Sequence, residues 1–138
     1  MTTVGEFMTT RLVTMDGNDT LAAAAQEMRD SAIGDVVVTN GDDVVGIVTD
    51  RDITVRGVAE DRDPSRTRLQ EIISRDVITI SQYDDAVAAA ELMRTYAVRR
   101  LPVVDDGRLV GLVSVGDLAV EREPQSVLAD ISADDPNN

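Results

Sequence analysis

Histidine, cysteine and lysine are all missing from the 138 residues of this chain. Without cysteine there is no disulfide and no thiol nucleophile, and without cysteine and histidine together the common zinc sites cannot form. The loss of histidine also removes every mechanism that relies on imidazole. Long apolar runs are missing too: charge breaks each of them well short of the ~20 residues that a membrane span needs. The opening Met1-Thr2-Thr3-Val4-Gly5-Glu6 lacks the basic and then apolar regions of a secretory signal. A cytoplasmic location is therefore expected, with no membrane partner.

All 13 basic residues are arginine, against 26 acidic residues of which 19 are Asp, giving a formal net charge of −13 and a pI near 4.2. Neutralising a phosphate backbone needs clustered basic side chains, so nucleic acid is not an expected partner. An acidic, lysine-free surface suits a protein dissolved in molar salt, because carboxylates hold water and ions well. A GC-rich genome favouring arginine codons explains the same composition. Hydrophobic residues make up 43% of the chain, enough for a core, and folding at this length hides roughly two thirds of the unfolded surface.

The chain repeats itself once. Shifted by 65 residues, Glu6 falls on Glu71, Thr14 on Thr79, Asp19 on Asp84, and Ala23-Ala24-Ala25 on Ala88-Ala89-Ala90. Met28-Arg29 falls on Met93-Arg94, Val38 on Val103, Val45-Gly46 on Val110-Gly111, and Asp52 on Asp117. Two similar units follow, each small enough to need its apolar face covered by the other. Their expected limits are 1–60 and 69–122, joined by a polar linker at 61–68 that holds Pro64 and followed by a C-terminal tail at 123–138, whose end, 133–138, is expected to be disordered.

Within each unit the periodicity alternates. Leu21, Ala24, Ala25 and Met28 follow helical spacing, as do Ala86, Ala89, Ala90 and Met93. Asp19 and Asp84 precede these stretches as expected caps. Val36-Val37-Val38-Thr39 and Leu101-Pro102-Val103-Val104 read as strands. Turns at Asn40-Gly41-Asp42-Asp43 and Asp105-Asp106-Gly107-Arg108 lead into returning strands at 44–48 and 109–113. A second helix begins near Asp50 and near Val115, and Val13-Thr14 and Ile78-Thr79 are short first strands. The fold class is α+β, a strand-helix-strand-strand-helix unit repeated twice with pseudo-twofold packing.

Each hairpin ends in the same pattern, Gly46-Ile47-Val48-Thr49-Asp50-Arg51-Asp52 and Gly111-Leu112-Val113-Ser114-Val115-Gly116-Asp117. A hydroxyl residue three before an acid at a helix start is a capping box with Asp in place of Glu. The same groups suit a ligand. A helix start offers unpaired N–H groups to an anion, and an aspartate accepts hydrogen bonds from ribose hydroxyls. One arrangement serves both roles when the cap also presents its oxygens outward.

With the doubled Gly-x-x-Ser/Thr-x-x-Asp motif, the 65-residue repeat and Arg99-Arg100-Leu101-Pro102-Val103-Val104 at the start of a strand, the chain resembles the tandem CBS-domain pair, or Bateman module, from residue 4 to about residue 120. Its size is similar to that of small stand-alone members. The resemblance implies a regulatory protein that binds an adenosine-containing ligand (AMP, ADP, ATP, NAD or S-adenosylmethionine) in clefts between the repeats. It implies that Thr49 and Asp52 line one cleft with Thr14 and Ile33, and that Ser114 and Asp117 line the other with Thr79, Val98, Arg99 and Arg100. It also implies pairing of two chains into a homodimer, and an effector protein that reads the ligand. Arg99 and Arg100 suit forked contacts to phosphate, whereas their counterparts Gly34 and Asp35 do not. Surface ion pairs are the plainer reading of both arginines. A module of purely structural or protein-binding use, with clefts that no longer hold nucleotide, is the alternative.

Other sites fall away. Asp16-Gly17-Asn18-Asp19 with Glu27 at the twelfth position approaches a calcium loop, but Leu21 stands where the sixth-position glycine is needed. No acid pair with a nucleophile stands out, so neither an enzyme, a metal site nor a cofactor beyond the regulatory nucleotide is expected.

Overall fold

Both halves of the chain build a long helix and a hairpin at the same 65-residue offset. In the first, helix α1 (Val4–Phe7) precedes strand β1 (Thr14–Asp16), helix α2 (Leu21–Ser31), strands β2 (Asp35–Asn40) and β3 (Asp43–Thr49), and a helical turn α3 (Asp50–Asp52) that runs on as a π-helix, Ile53–Val58. The second has a 3-10 turn (Leu69–Glu71), helix α4 (Ala86–Tyr96), strands β4 (Arg100–Asp105) and β5 (Arg108–Ser114), and helix α5 (Val115–Arg122). The computed structural model describes residues 2–73 and 77–122. The expected tail at 123–138 lies outside them. Among the described residues no helix is long and apolar enough to cross a membrane.

The helix starts correct the expected caps. Thr20 and Asp85 take the cap positions, accepting hydrogen bonds from the backbone N–H groups of Ala23 (3.1 Å) and Ala88 (2.8 Å). Asp19 and Asp84 stand one residue too early and close the preceding turns instead, accepting from Asp16 N–H at 3.0 Å and Ser81 N–H at 3.1 Å. Both helices end on an alanine in the left-handed region, Ala32 at φ 55° and Ala97 at φ 54°. The next N–H, from Ile33 or Val98, returns to the carbonyl of Met28 or Met93 at 3.0 Å, a Schellman closure. The buried helix faces are Leu21, Ala24 and Met28, and Ala89 and Met93; Ala25, expected among them, is exposed.

Each hairpin pairs antiparallel with a register shift at the same place, Val38/Thr39 and Val103/Val104. Their two-residue loops reach one register by different chemistry. The first places Gly41 at φ 63°, whereas the second has positive φ at both Asp106 (51°) and Gly107 (78°).

The first strands differ, and proline explains why. β1 runs parallel to β2 over Thr14–Asp16, and Val37 donates its N–H to Val13 O at 3.1 Å. Pro102 occupies the place of Val37 and has no N–H to give. The parallel contact in the second half therefore shrinks to a single bridge between Ile80 and Val103, and the expected strand Ile78-Thr79 does not form.

The described residues divide into two compact units, and the division does not follow the repeat. One unit joins the leading stretch up to Leu12 to the stretch from Ile78 onward; the other is Val13–Val77. Val4 is buried in one core with Ile80, Ala89, Met93, Leu101, Val103, Val113 and Leu118. Leu69, its counterpart 65 residues on, is buried in the other with Leu21, Ala24, Met28, Val36, Val38 and Val48. Each repeat thus lends its opening turn to the unit that holds the other repeat's hairpin. The stretch read as a linker takes part: Thr67 O and Pro64 O accept the N–H groups of Leu21 (3.0 Å) and Ala22 (2.9 Å).

Candidate functional site

Hairpin register brings each motif to its strand start. Asp35 lies opposite Thr49 on β2 and β3, and Arg100 lies opposite Ser114 on β4 and β5. One residue earlier, Gly34 O accepts the N–H of Asp50 at 3.0 Å and Arg99 O accepts that of Val115 at 2.9 Å. Helix start, strand start and motif hydroxyl therefore converge twice, once within each unit. Thr14 joins the first set through β1, opposite Val37. Thr79 joins the second just before the Ile80 bridge. Both threonines and Arg99 are exposed, while Ile33, Val98 and Arg100 are half-buried.

Both motifs close as capping boxes. Thr49 Oγ1 accepts Asp52 N–H at 3.0 Å and Asp52 Oδ2 accepts Thr49 N–H at 3.0 Å. Ser114 Oγ accepts Asp117 N–H at 3.1 Å and Asp117 Oδ2 accepts Ser114 N–H at 2.9 Å. The boxes leave capacity unspent. A hydroxyl that accepts still has its own hydrogen to donate, and each carboxylate keeps a second oxygen. Among the described residues, Oδ1 of Asp52 and of Asp117 takes no hydrogen bond. A hydroxyl donor beside an open carboxylate oxygen matches a phosphate beside a ribose diol.

Electrostatics separate the two. Around the first motif stand the buried Asp35, then Asp50 and Asp52, and Asp50 Oδ1 accepts Arg51 N–H at 2.8 Å. That bond spends a helix-start amide, and Asp50's carboxylate lies against Gly34, 3.3 Å from where a Cβ would be. At the second motif Val115 replaces Asp50 and offers no acceptor to the amide of Gly116, while Arg99 and Arg100 replace Gly34 and Asp35. Arg51, the cation within the first motif, is exposed.

Sequence reading missed two participants. Asp50 is one. The other is Thr9, whose Oγ1 donates to Asp117 Oδ2 at 3.5 Å from 108 residues away. Ser74 repeats its hydroxyl at the 65-residue offset, a sign that was available, though Ser74 lies outside the described residues. Burial pushes the Asp117 carboxyl up from its ordinary value, and the hydrogen bonds from Ser114 and Thr9 oppose that rise.

Compared with known proteins, residues 4–57 and 69–123 each match the CBS domain family. The chain is 36% identical over 122 residues to the CBS domain-containing protein YhcV of Bacillus subtilis, covering 88% of this chain and 86% of that one. To hypoxic response protein 1 of Mycobacterium tuberculosis it is 38% identical over 124 residues, covering 86% and 84%. A crystal structure of that protein with two coordinated zinc ions superposes with a TM-score of 0.80 at 32% identity, covering 88% of this chain and 99% of that one. The CBS domain pair of protein MJ0100, in complex with 5-methylthioadenosine and S-adenosyl-L-methionine, also superposes at 0.80, with 26% identity and 91% and 99% coverage. Among the described residues here, no group of three His, Cys, Asp or Glu side chains is placed to hold a metal ion.

Proposed function

The chain belongs to the CBS-domain family as a pair of such domains, and on that premise we propose that it is a non-catalytic sensor taking an anionic adenosine ligand at its second motif. The observation that carries the reading is the pairing at Ser114 and Asp117: a hydroxyl with a hydrogen to donate and an open carboxylate oxygen. Arg99 and Arg100 stand at the adjoining strand start, with no competing carboxylate at the helix start. The adenosine compounds named for the MJ0100 pair support this ligand class, which spans AMP, ADP, ATP, NAD and S-adenosylmethionine. The first motif, ringed by Asp35, Asp50 and Asp52 and with an amide already spent, serves structure rather than anion binding.

Ligand acts by population shift: it favours whichever arrangement it contacts best, by no more than its difference in affinity. Self-association into a homodimer, a cytoplasmic setting and an effector protein that reads occupancy belong to the same proposal. Light scattering at molar salt that shows a monomer at micromolar concentration removes the dimer from it.

Calorimetric titration with adenosine, AMP, ATP and S-adenosylmethionine tests the ligand. A hydrogen bond to a charged group is worth ~1.5–3 kcal/mol, so Arg100→Ala weakens AMP and ATP about ten- to a hundredfold and spares adenosine. Asp117→Ala weakens all of them, because ribose is common to them. Silence across the panel overturns the proposal, and so does binding abolished by Asp52→Ala but kept by Asp117→Ala.

A further inference from the structure

The motif glycine of the second half has a visible reason. Gly111 lies in β5 beneath the leading segment, and a Cβ there would stand 2.5 Å from Met8 Sδ and 3.1 Å from Thr9 O. The segment is docked along its length. Val4 and Gly5 donate to Asp84 O (2.7 Å) and Gln82 O (2.8 Å), and Thr9 exchanges both backbone hydrogen bonds with Leu112, at 2.8 and 2.9 Å. Leu112 is two residues before Ser114. The bridge therefore brings Thr9 Oγ1 to Asp117 Oδ2, the oxygen that also accepts Ser114 N–H.

We infer that Thr9 is a positioning residue for Asp117, and that docking of the leading segment on β5 sets the affinity of the second motif for its ligand. Two donors, a backbone N–H from within the motif and a hydroxyl from the leading segment, hold Oδ2 and leave Oδ1 as the oxygen open to a ribose diol. Without Thr9 the carboxylate keeps one tether and can turn about its Cβ–Cγ bond. Burial already disfavours its charged form, and the Thr9 hydroxyl is one of the groups that offset this. The inference rests on reading the second motif as the ligand site, but part of its test does not.

Thr9→Val keeps the β-branched shape and removes the hydroxyl; Thr9→Ser keeps the hydroxyl. Carbon-13 NMR titration of the Asp117 carboxyl in the unliganded full chain reads the tether directly. It titrates at higher pH in Thr9→Val and as wild type in Thr9→Ser, while slow exchange of the Leu112 amide in both variants shows the segment still docked. An Asp117 titration unmoved in Thr9→Val overturns the inference whether or not any ligand binds. With adenosine as the probe, Thr9→Val weakens binding about three- to tenfold, toward the small end because 3.5 Å is long for a hydroxyl donor. Equal weakening in Thr9→Ser also overturns the inference. A wild-type protein that takes no adenosine ligand refutes the ligand reading alone and leaves the titration to decide the role of Thr9.

Discussion

Substituting alanine for Gly111 tests the exchange of leading segments at its tightest point. The new Cβ would meet Met8 Sδ at 2.5 Å, Met8 Cγ at 2.9 Å and Thr9 O at 3.1 Å. Met8 is flexible at its end and swings aside, giving up contacts with its core cluster. Thr9 O is held in place, because it accepts Leu112 N–H at 2.9 Å. The φ of Gly111 lies outside the left-handed region, so the cost is steric. Overpacking of this kind costs ~1–3 kcal/mol, and replacing a strand glycine returns ~0.5–1 kcal/mol of backbone entropy. Strain on the Thr9–Leu112 hydrogen bonds, worth ~0.5–1.5 kcal/mol each, offsets part of that return and leaves a net cost of about 1–2 kcal/mol. Urea unfolding reads this as a midpoint lowered by about 0.5–1 M at the usual slope. In a Met8→Ala background the cost falls by ~0.5–1 kcal/mol, a coupling expected only of residues in contact. Gly41→Ala is the control. Nothing lies within 4 Å of its Cβ but its φ is +63°, so it loses ~1 kcal/mol from backbone strain with no dependence on Met8. A Gly111→Ala protein as stable as wild type and uncoupled from Met8 refutes the placement of the leading segment over β5.

Ala32→Gly and Ala97→Gly relieve left-handed alanines at helix ends and each stabilise the protein by ~0.5–1 kcal/mol in urea unfolding; no gain refutes that backbone geometry. Burial raises the Asp117 carboxyl, so folding favours its protonated form: its contribution is full below the ordinary Asp range and is lost as pH rises through the raised native value. The stability of wild type relative to Asp117→Asn should accordingly fall as pH rises from the ordinary Asp range through the raised native value, and a difference that is flat or rising in thermal melts contradicts the burial of that group. A net charge of −13 repels itself across a screening length of ~10 Å at 0.1 M salt but only ~3 Å at 1 M. The melting temperature climbs steeply between those concentrations if the composition answers a saline cytoplasm, whereas a flat response assigns it to codon usage.

Much of the fold was legible because its causes are local. Alanine spacing, the Asn-Gly and Asp-Gly turns and runs of valine act within a few residues, and the second helices begin at Asp50 and Val115 as their motifs require. The cap error was one residue wide: at each helix two adjacent residues carried a suitable oxygen, and only backbone geometry chose Thr20 over Asp19 and Asp85 over Asp84. Pro102 was visible in the sequence, but its effect was not. The missing N–H matters only once Val37 is seen donating to Val13 across a parallel pair.

What the sequence determined by itself is the repeated element order and the position of both motifs, since periodicity, turn chemistry and the hydroxyl–acid spacing are all written in short stretches. Which opening turn completes which unit was left to the tertiary structure. Val4 and Leu69 are equivalent apolar residues 65 apart, so the pattern is the same whether each packs on its own half or on the other. Packing decides, because the hairpin edge that receives Thr9 is β5 rather than β3. That decision sets Thr9 beside Asp117 across 108 residues, a contact with no local cause and therefore no local signature.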